Sequence, residues 1–141
     1  MKYFVKEILI LFFSFIGLAG YSQTSGIPCP ASVYVHFLGY KKEIRTNQSG
    51  EYSVCIFPDG SECDSWEFFR GTCGKKYSYC ALKGCETESI TELKDSYHIK
   101  YCACSCLDSL GNKIVTPLEE FMKQLGDTLI NSNESRKRIG K

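Results

Sequence analysis

The chain has 141 residues, with 17 Lys and Arg against 16 Asp and Glu, and a formal net charge of +1. So even a balance gives no basic surface to steer the protein toward nucleic acid or an anionic membrane. Nine cysteines in so short a chain point instead to an oxidising compartment, where such density reads first as a disulfide framework.

Residues 1–22 have the layout of a secretory signal: Lys2 and Lys6, an apolar stretch from Ile8 to Leu18, then the small residues Ala19, Gly20 and Ser22. Gly20 and Ser22 stand where a cut ahead of Gln23 needs small side chains. The apolar stretch falls short of the roughly 18 to 20 residues needed to cross a bilayer, so a cleaved signal is expected over an uncleaved anchor. Cys29 follows the polar run Ser22 to Gly26 and Pro28, which argues against lipid attachment there. Losing Lys2, Lys6 and Glu7 leaves the remainder neutral. The expected location is secreted or periplasmic.

Pro30 suits the first position of a short helix, with Ala31, Tyr34 or Val35, and Leu38 on one face and Gly39 as its stop. Lys42 to Thr46, a turn at Asn47 to Gly50, and the β-forming run Tyr52 to Phe57 predict a hairpin. Phe57-Pro58-Asp59-Gly60 is a tight turn by composition. Ser61 or Asp64 then caps a second helix carrying Trp66 and Phe69 and ending at Gly71. Tyr79 to Gly84 repeats the layout of Tyr34 to Gly39, and Tyr101, Cys104 and Asp108 echo Tyr52, Cys55 and Asp59, which predicts a second, degenerate copy. Thr116-Pro117-Leu118-Glu119 has the form of a helix start, with Leu118, Phe121, Met122, Leu125 and Leu129 as one apolar stripe. Its polar face carries Glu119, Glu120, Lys123, Gln124 and Asp127, which suits docking on the domain better than lying on a membrane.

The expected fold class is therefore α+β: a small disulfide-rich domain of helix-hairpin-helix units, as two degenerate repeats over 23–75 and 76–115. An amphipathic helix over 116–130 and a basic, disordered tail over 131–141 complete the chain. All nine cysteines, Cys29, Cys55, Cys63, Cys73, Cys80, Cys85, Cys102, Cys104 and Cys106, are candidates for bridges, each stabilising by roughly 3 kcal/mol. An odd count leaves one thiol free, buried, or paired to a second molecule.

Pro30-Ala31-Ser32-Val33-Tyr34, Gly39, Glu43-Ile44-Arg45, Tyr52, Cys55, Phe57 to Cys63, Trp66, Phe68-Phe69-Arg70-Gly71 and Cys73 closely resemble a bacterial family of small secreted cysteine-rich domains. That family carries a hemolysin label and has no assigned function. Its pattern has a cysteine where this chain has Val35. The resemblance implies either that Cys29 substitutes as partner for Cys55, or that Cys55 pairs elsewhere. It also implies a Cys80–Cys104 bridge, and Cys63 with Cys73 clamping the Trp66 helix.

On a strand, Cys102, Cys104 and Cys106 share one face, and with Cys85 they could hold zinc or copper(I); export favours disulfides over metal, so no cofactor is expected. His36 and His98 are the only neutral-pH bases, and no nucleophile elbow, phosphate loop or metalloprotease motif accompanies them, so the protein is not expected to be an enzyme. Trp66 and Phe69 read as core; Phe68 and Arg70 are the candidate outward contacts, and Asp59 and Glu62 read as turn and cap residues, Asp59 also sitting on a loop that could be presented. The leading expectation is a non-enzymatic module binding a protein or cell-envelope component, with no stable membrane insertion. The hemolysin label implies a membrane-active toxin as the alternative, although Tyr52 to Phe57 is too short to span a bilayer. A protease inhibitor presenting Phe57 to Gly60 is the third reading.

Overall fold

The structure is a computed structural model that describes residues 29–129; the expected signal and tail lie outside these residues. Pro30 opens α1 (Pro30–Phe37), and Ala31, Tyr34, Val35 and Phe37 turn its apolar stripe inward. Gly39 ends it at a φ of +79°, a left-handed conformation that lets its N–H and that of Tyr40 reach the carbonyls of His36 and Val35 at 3.0 and 3.1 Å.

β1 (Lys41–Asn47) and β2 (Gly50–Ile56) form an antiparallel hairpin, and β3 (Glu62–Asp64) joins the far side of β2 with Cys55 opposite Cys63. Asp64 caps α2 (Ser65–Phe69), accepting from the N–H groups of Trp66 at 2.9 Å and Glu67 at 3.1 Å. A 3-10 turn over Lys75–Tyr77 leads to α3 (Tyr79–Leu82), capped by the Ser78 hydroxyl. β4 (Glu86–Lys94), β5 (Tyr97–Leu107) and β6 (Lys113–Pro117) form a second antiparallel sheet in that order, and α4 (Leu118–Gln124) follows at once.

One core draws on both sheets. Tyr34, Val35, Phe37, Cys55, Phe57 and Phe68 from the first segment pack with Tyr79, Cys80, Cys102, Cys104, Leu118 and Met122 from the second. Phe57 stacks on Tyr77 with ring centroids 4.5 Å apart and meets Phe68 edge-on at 5.0 Å. Gly74 sits where this packing leaves no room: a Cβ there would fall 2.3 Å from the Phe57 ring.

These facts correct the expected fold. The molecule is dominated by two three-stranded antiparallel sheets joined by helices of four to eight residues, so it is richer in β-structure than helix-hairpin-helix units. Glu62–Asp64, lying between a tight turn and a helix cap, is a third strand because it completes the hydrogen bonding of β2. Thr116 lies in β6 rather than at a cap, and Pro117 is at once the last residue of β6 and the N-cap, so the helix begins one residue later than expected. The C-terminal helix is shorter than expected, since Gly126 at φ +79° ends it and Leu125 stays exposed.

Candidate functional site

Alternation along β5 puts Cys102, Cys104 and Cys106 on one face. Cys104 bridges to Cys80 and Cys106 to Cys85, with Cα atoms 5.1 and 4.7 Å apart, which ties α3 and the start of β4 to the central strand. Cys63 bridges to Cys73 across the ends of α2. Cys63–Cys73 and Cys80–Cys104 are the pairs that the resemblance implied; Cys85–Cys106 was not foreseen as a pair.

Cys29, Cys55 and Cys102, expected among the bridged cysteines, are thiols in the structure. Cys104 and Cys106 take the available partners from the α3 segment, which leaves Cys102 packed against the end of α2, where a Cβ on Gly71 would lie 3.0 Å from its sulfur. Burial pushes the Cys55 and Cys102 thiols up to about 12, so both are protonated at neutral pH. Cys29 is half-buried at the entry to α1. Among the described residues no group of three or more His, Cys, Asp and Glu is placed to hold a metal ion. His36 on α1 and His98 on β5 are both exposed.

The surface centres on Trp66, and here the expected assignment is reversed for Trp66 and Phe68, while Phe69 packs against the core and Arg70 is partly exposed, as expected. Phe68 is fully buried while Trp66 is 39% exposed. In a five-residue helix, spacing alone does not fix which face turns inward; Ser65 and Phe68 take the buried side, one position away from the Trp66 and Phe69 pair. Arg70 lies over the indole, its guanidinium carbon 5.2 Å from the ring centroid, and reaches Glu67 at 3.4 Å.

On one side of Trp66 is a groove of about 260 Å³. Trp66, Phe69 and Arg70 form one wall, Lys100, Tyr101 and Cys102 of β5 the other, and Pro117, Leu118 and Glu119 close its end. The Tyr101 hydroxyl donates to the Glu92 carboxylate at 2.6 Å, and that bond raises its pKa above the usual phenol range. A second hollow of about 330 Å³ lies on the other side of the indole, against Ile44 and Tyr52 of the first sheet. No sequence signal joins residues 66 to 70 with residues 100 to 119; the tertiary fold assembles this groove.

The edge of β5 beside the groove is open. β4 runs along β5 from Tyr97 to Ser105, whereas β6 covers only Ala103 to Leu107 on the opposite side. Tyr97 to Cys102 therefore have no strand partner on the β6 side among the described residues.

Asp59 is occupied in holding its turn. Its carboxylate accepts from Ser61 N–H at 3.0 Å and from Lys76 at 2.8 Å, and the Lys76 bond, then the Ser61 hydroxyl, hold it well below the usual carboxylate range. No helix among the described residues is long and apolar enough to cross a membrane.

Residues 26–72 match a family described as a domain of unknown function (DUF333). The chain is also similar to an uncharacterized protein of Archaeoglobus fulgidus, with 30% identity over 86 residues, covering 61% of this chain and 40% of that protein. The chain thus spans less than half the length of that relative. Neither match carries the hemolysin label, and no solved structure matches.

Proposed function

We propose that this protein is a secreted or periplasmic, non-enzymatic binding module that meets a protein or cell-envelope partner through the face centred on Trp66. Trp66 is the observation that carries the reading. It stands 39% exposed between two hollows, with Arg70 over its ring and Tyr101 across the groove. Trp, Tyr and Arg are the residues that most often anchor interfaces, because each buries a large area and keeps a polar or charged handle.

Three bridges in so small a domain support an oxidising compartment. The two buried thiols, held protonated by burial, are poor nucleophiles, which supports a role without covalent chemistry.

The test is a photo-reactive residue placed at Tyr101 or Glu119 on the groove rim, with Leu82 and Leu110 as distant exposed controls. A discrete adduct in the envelope or secreted fraction of the native host, formed from the rim positions alone and lost on adding Trp66→Ala, is expected. Equal labelling from the controls, or none from the rim, would overturn the reading.

A further inference from the structure

We infer that the groove beside Trp66 takes an extended peptide, which adds as a strand to the open edge of β5 and carries a carboxylate next to an apolar side chain. This rests on the binding-module reading and gives it a ligand class.

The edge comes first. β6 stops pairing at Pro117, opposite Ala103, because proline has no N–H to offer and the chain turns into α4 at Leu118. Along Tyr97 to Cys102 about half of the backbone N–H and C=O groups point to the β6 side, since these groups alternate along a strand. Main-chain pairing to such an edge is a recurrent way of holding an extended peptide.

The groove supplies the selection. An added strand would run where β6 would have continued, with α2 facing it, so alternate side chains would turn onto Trp66 and Phe69. Arg70 and Lys100 stand at the rim. Lys100 makes no ion pair among those of the described residues, and its charge bears on Glu67, which Arg70 also holds at 3.4 Å, so two cations stand there against one carboxylate. Glu119 is the one carboxylate in the lining, so the side near α2 and β5 favours an acid.

Trp66 is the only tryptophan, so its emission reports occupancy directly. The full chain, with its bridges intact, is titrated with the blocked peptide acetyl-Thr-Val-Asp-Leu-Thr-Val-amide and with the same peptide carrying Lys in place of Asp. Two further versions are N-methylated on alternate amides, one for each register. A saturable emission change with the parent is expected, with at least about ten-fold weaker binding for one N-methylated peptide and for the Lys peptide.

Equal binding of both N-methylated peptides would overturn strand addition. Equal binding of the Lys peptide would overturn the acidic preference. Flat emission with every peptide would overturn the ligand class and leave Lys100 as a charge that keeps an open edge from pairing. Rim adducts formed in the host alongside flat emission would retain the binding face and exclude the extended peptide as its ligand.

Discussion

The Tyr34 phenol on α1 accepts a hydrogen bond from the backbone N–H of Tyr79, at the start of α3, at 2.9 Å. Both residues are buried, so this bond satisfies an amide that the helix itself cannot. Tyr34→Phe removes the acceptor and keeps the ring, which leaves the amide unpaired at a cost of about 1–3 kcal/mol. Urea unfolding followed by circular dichroism measures it, and an unchanged midpoint would refute the assignment.

Gly74 and Gly60 separate two reasons for a glycine. Both have positive φ, at +63° and +81°, but a Cβ at Gly60 meets nothing within 4 Å whereas one at Gly74 strikes Phe57 and Phe68. Gly60→Ala is expected to lose about 1 kcal/mol from backbone strain alone. Gly74→Ala adds overpacking and is expected to lose about 2–4 kcal/mol in the same assay.

Phe68 and Trp66 form a matching contrast. Phe68→Ala opens the core and should destabilise by about 3–5 kcal/mol. Trp66→Ala removes a half-exposed ring and should change stability by about 1 kcal/mol or less while abolishing the rim adducts. If Trp66→Ala unfolded the protein as readily as Phe68→Ala, Trp66 would belong to the core.

The three thiols should differ in access. Iodoacetamide at pH 8 is expected to label Cys29 in the folded protein, and Cys55 and Cys102 only in denaturant, as read by intact mass without reductant. The two buried thiols also set an alkaline limit. Each has a folded pKa raised from 9.0 to about 12, so the folded state holds its proton where the unfolded state has released it. Their stabilising effect is present below pH 9 and drains away between pH 9 and 12. Replacing both with alanine should make that slope shallower from about pH 9 upward, whatever it does to stability at neutral pH, while the raised tyrosines Tyr34, Tyr40, Tyr79 and Tyr101 keep the part above about pH 10.

Asp59 acts at the other end of the scale. Lys76 and Ser61 hold its folded pKa below the unfolded value, so what it contributes is present above about pH 4 and is lost as the solution is acidified below that. Asp59→Asn should make the acid limb shallower between about pH 2 and 4, the rest of it being held by Glu43, Glu67, Glu88 and Asp108, whose pKa values are also lowered. It should also lessen the loss above about pH 10, where Lys76 no longer has the bond that raises it. A parallel shift at all pH values would mean that the turn depends on hydrogen bonding alone.

How much of this was legible depends on the range of the signal. Pro30 and Gly39 bounded α1, the Asn47 to Gly50 turn set the first hairpin, and Asp64 was one of two caps named for α2, because each acts within a few residues. β3 was hidden by its length: three residues show no alternation, and only pairing with β2 makes them a strand. Thr116-Pro117-Leu118 marked the helix start to within one residue, but that Thr116 and Pro117 also end a strand was hidden, because only β5, with Cys104 opposite Thr116, makes them one. The groove was illegible altogether, since its walls come from α2 and from the β5 edge, which meet only when both sheets share the core.

The bridges divide the described chain into two covalent islands. Cys63–Cys73 lies wholly on one side of the Lys75–Tyr77 turn, and Cys80–Cys104 and Cys85–Cys106 lie wholly on the other. A single cut at the exposed Lys75 or Lys76 would leave no covalent bond between them, and only non-covalent contacts, among them the aromatic core and the Tyr34–Tyr79 and Tyr40–Tyr77 hydrogen bonds, would keep the pieces together. The Trp66 groove takes one wall from each island, so the nicked protein would be a two-chain complex whose binding face exists only while both chains stay docked.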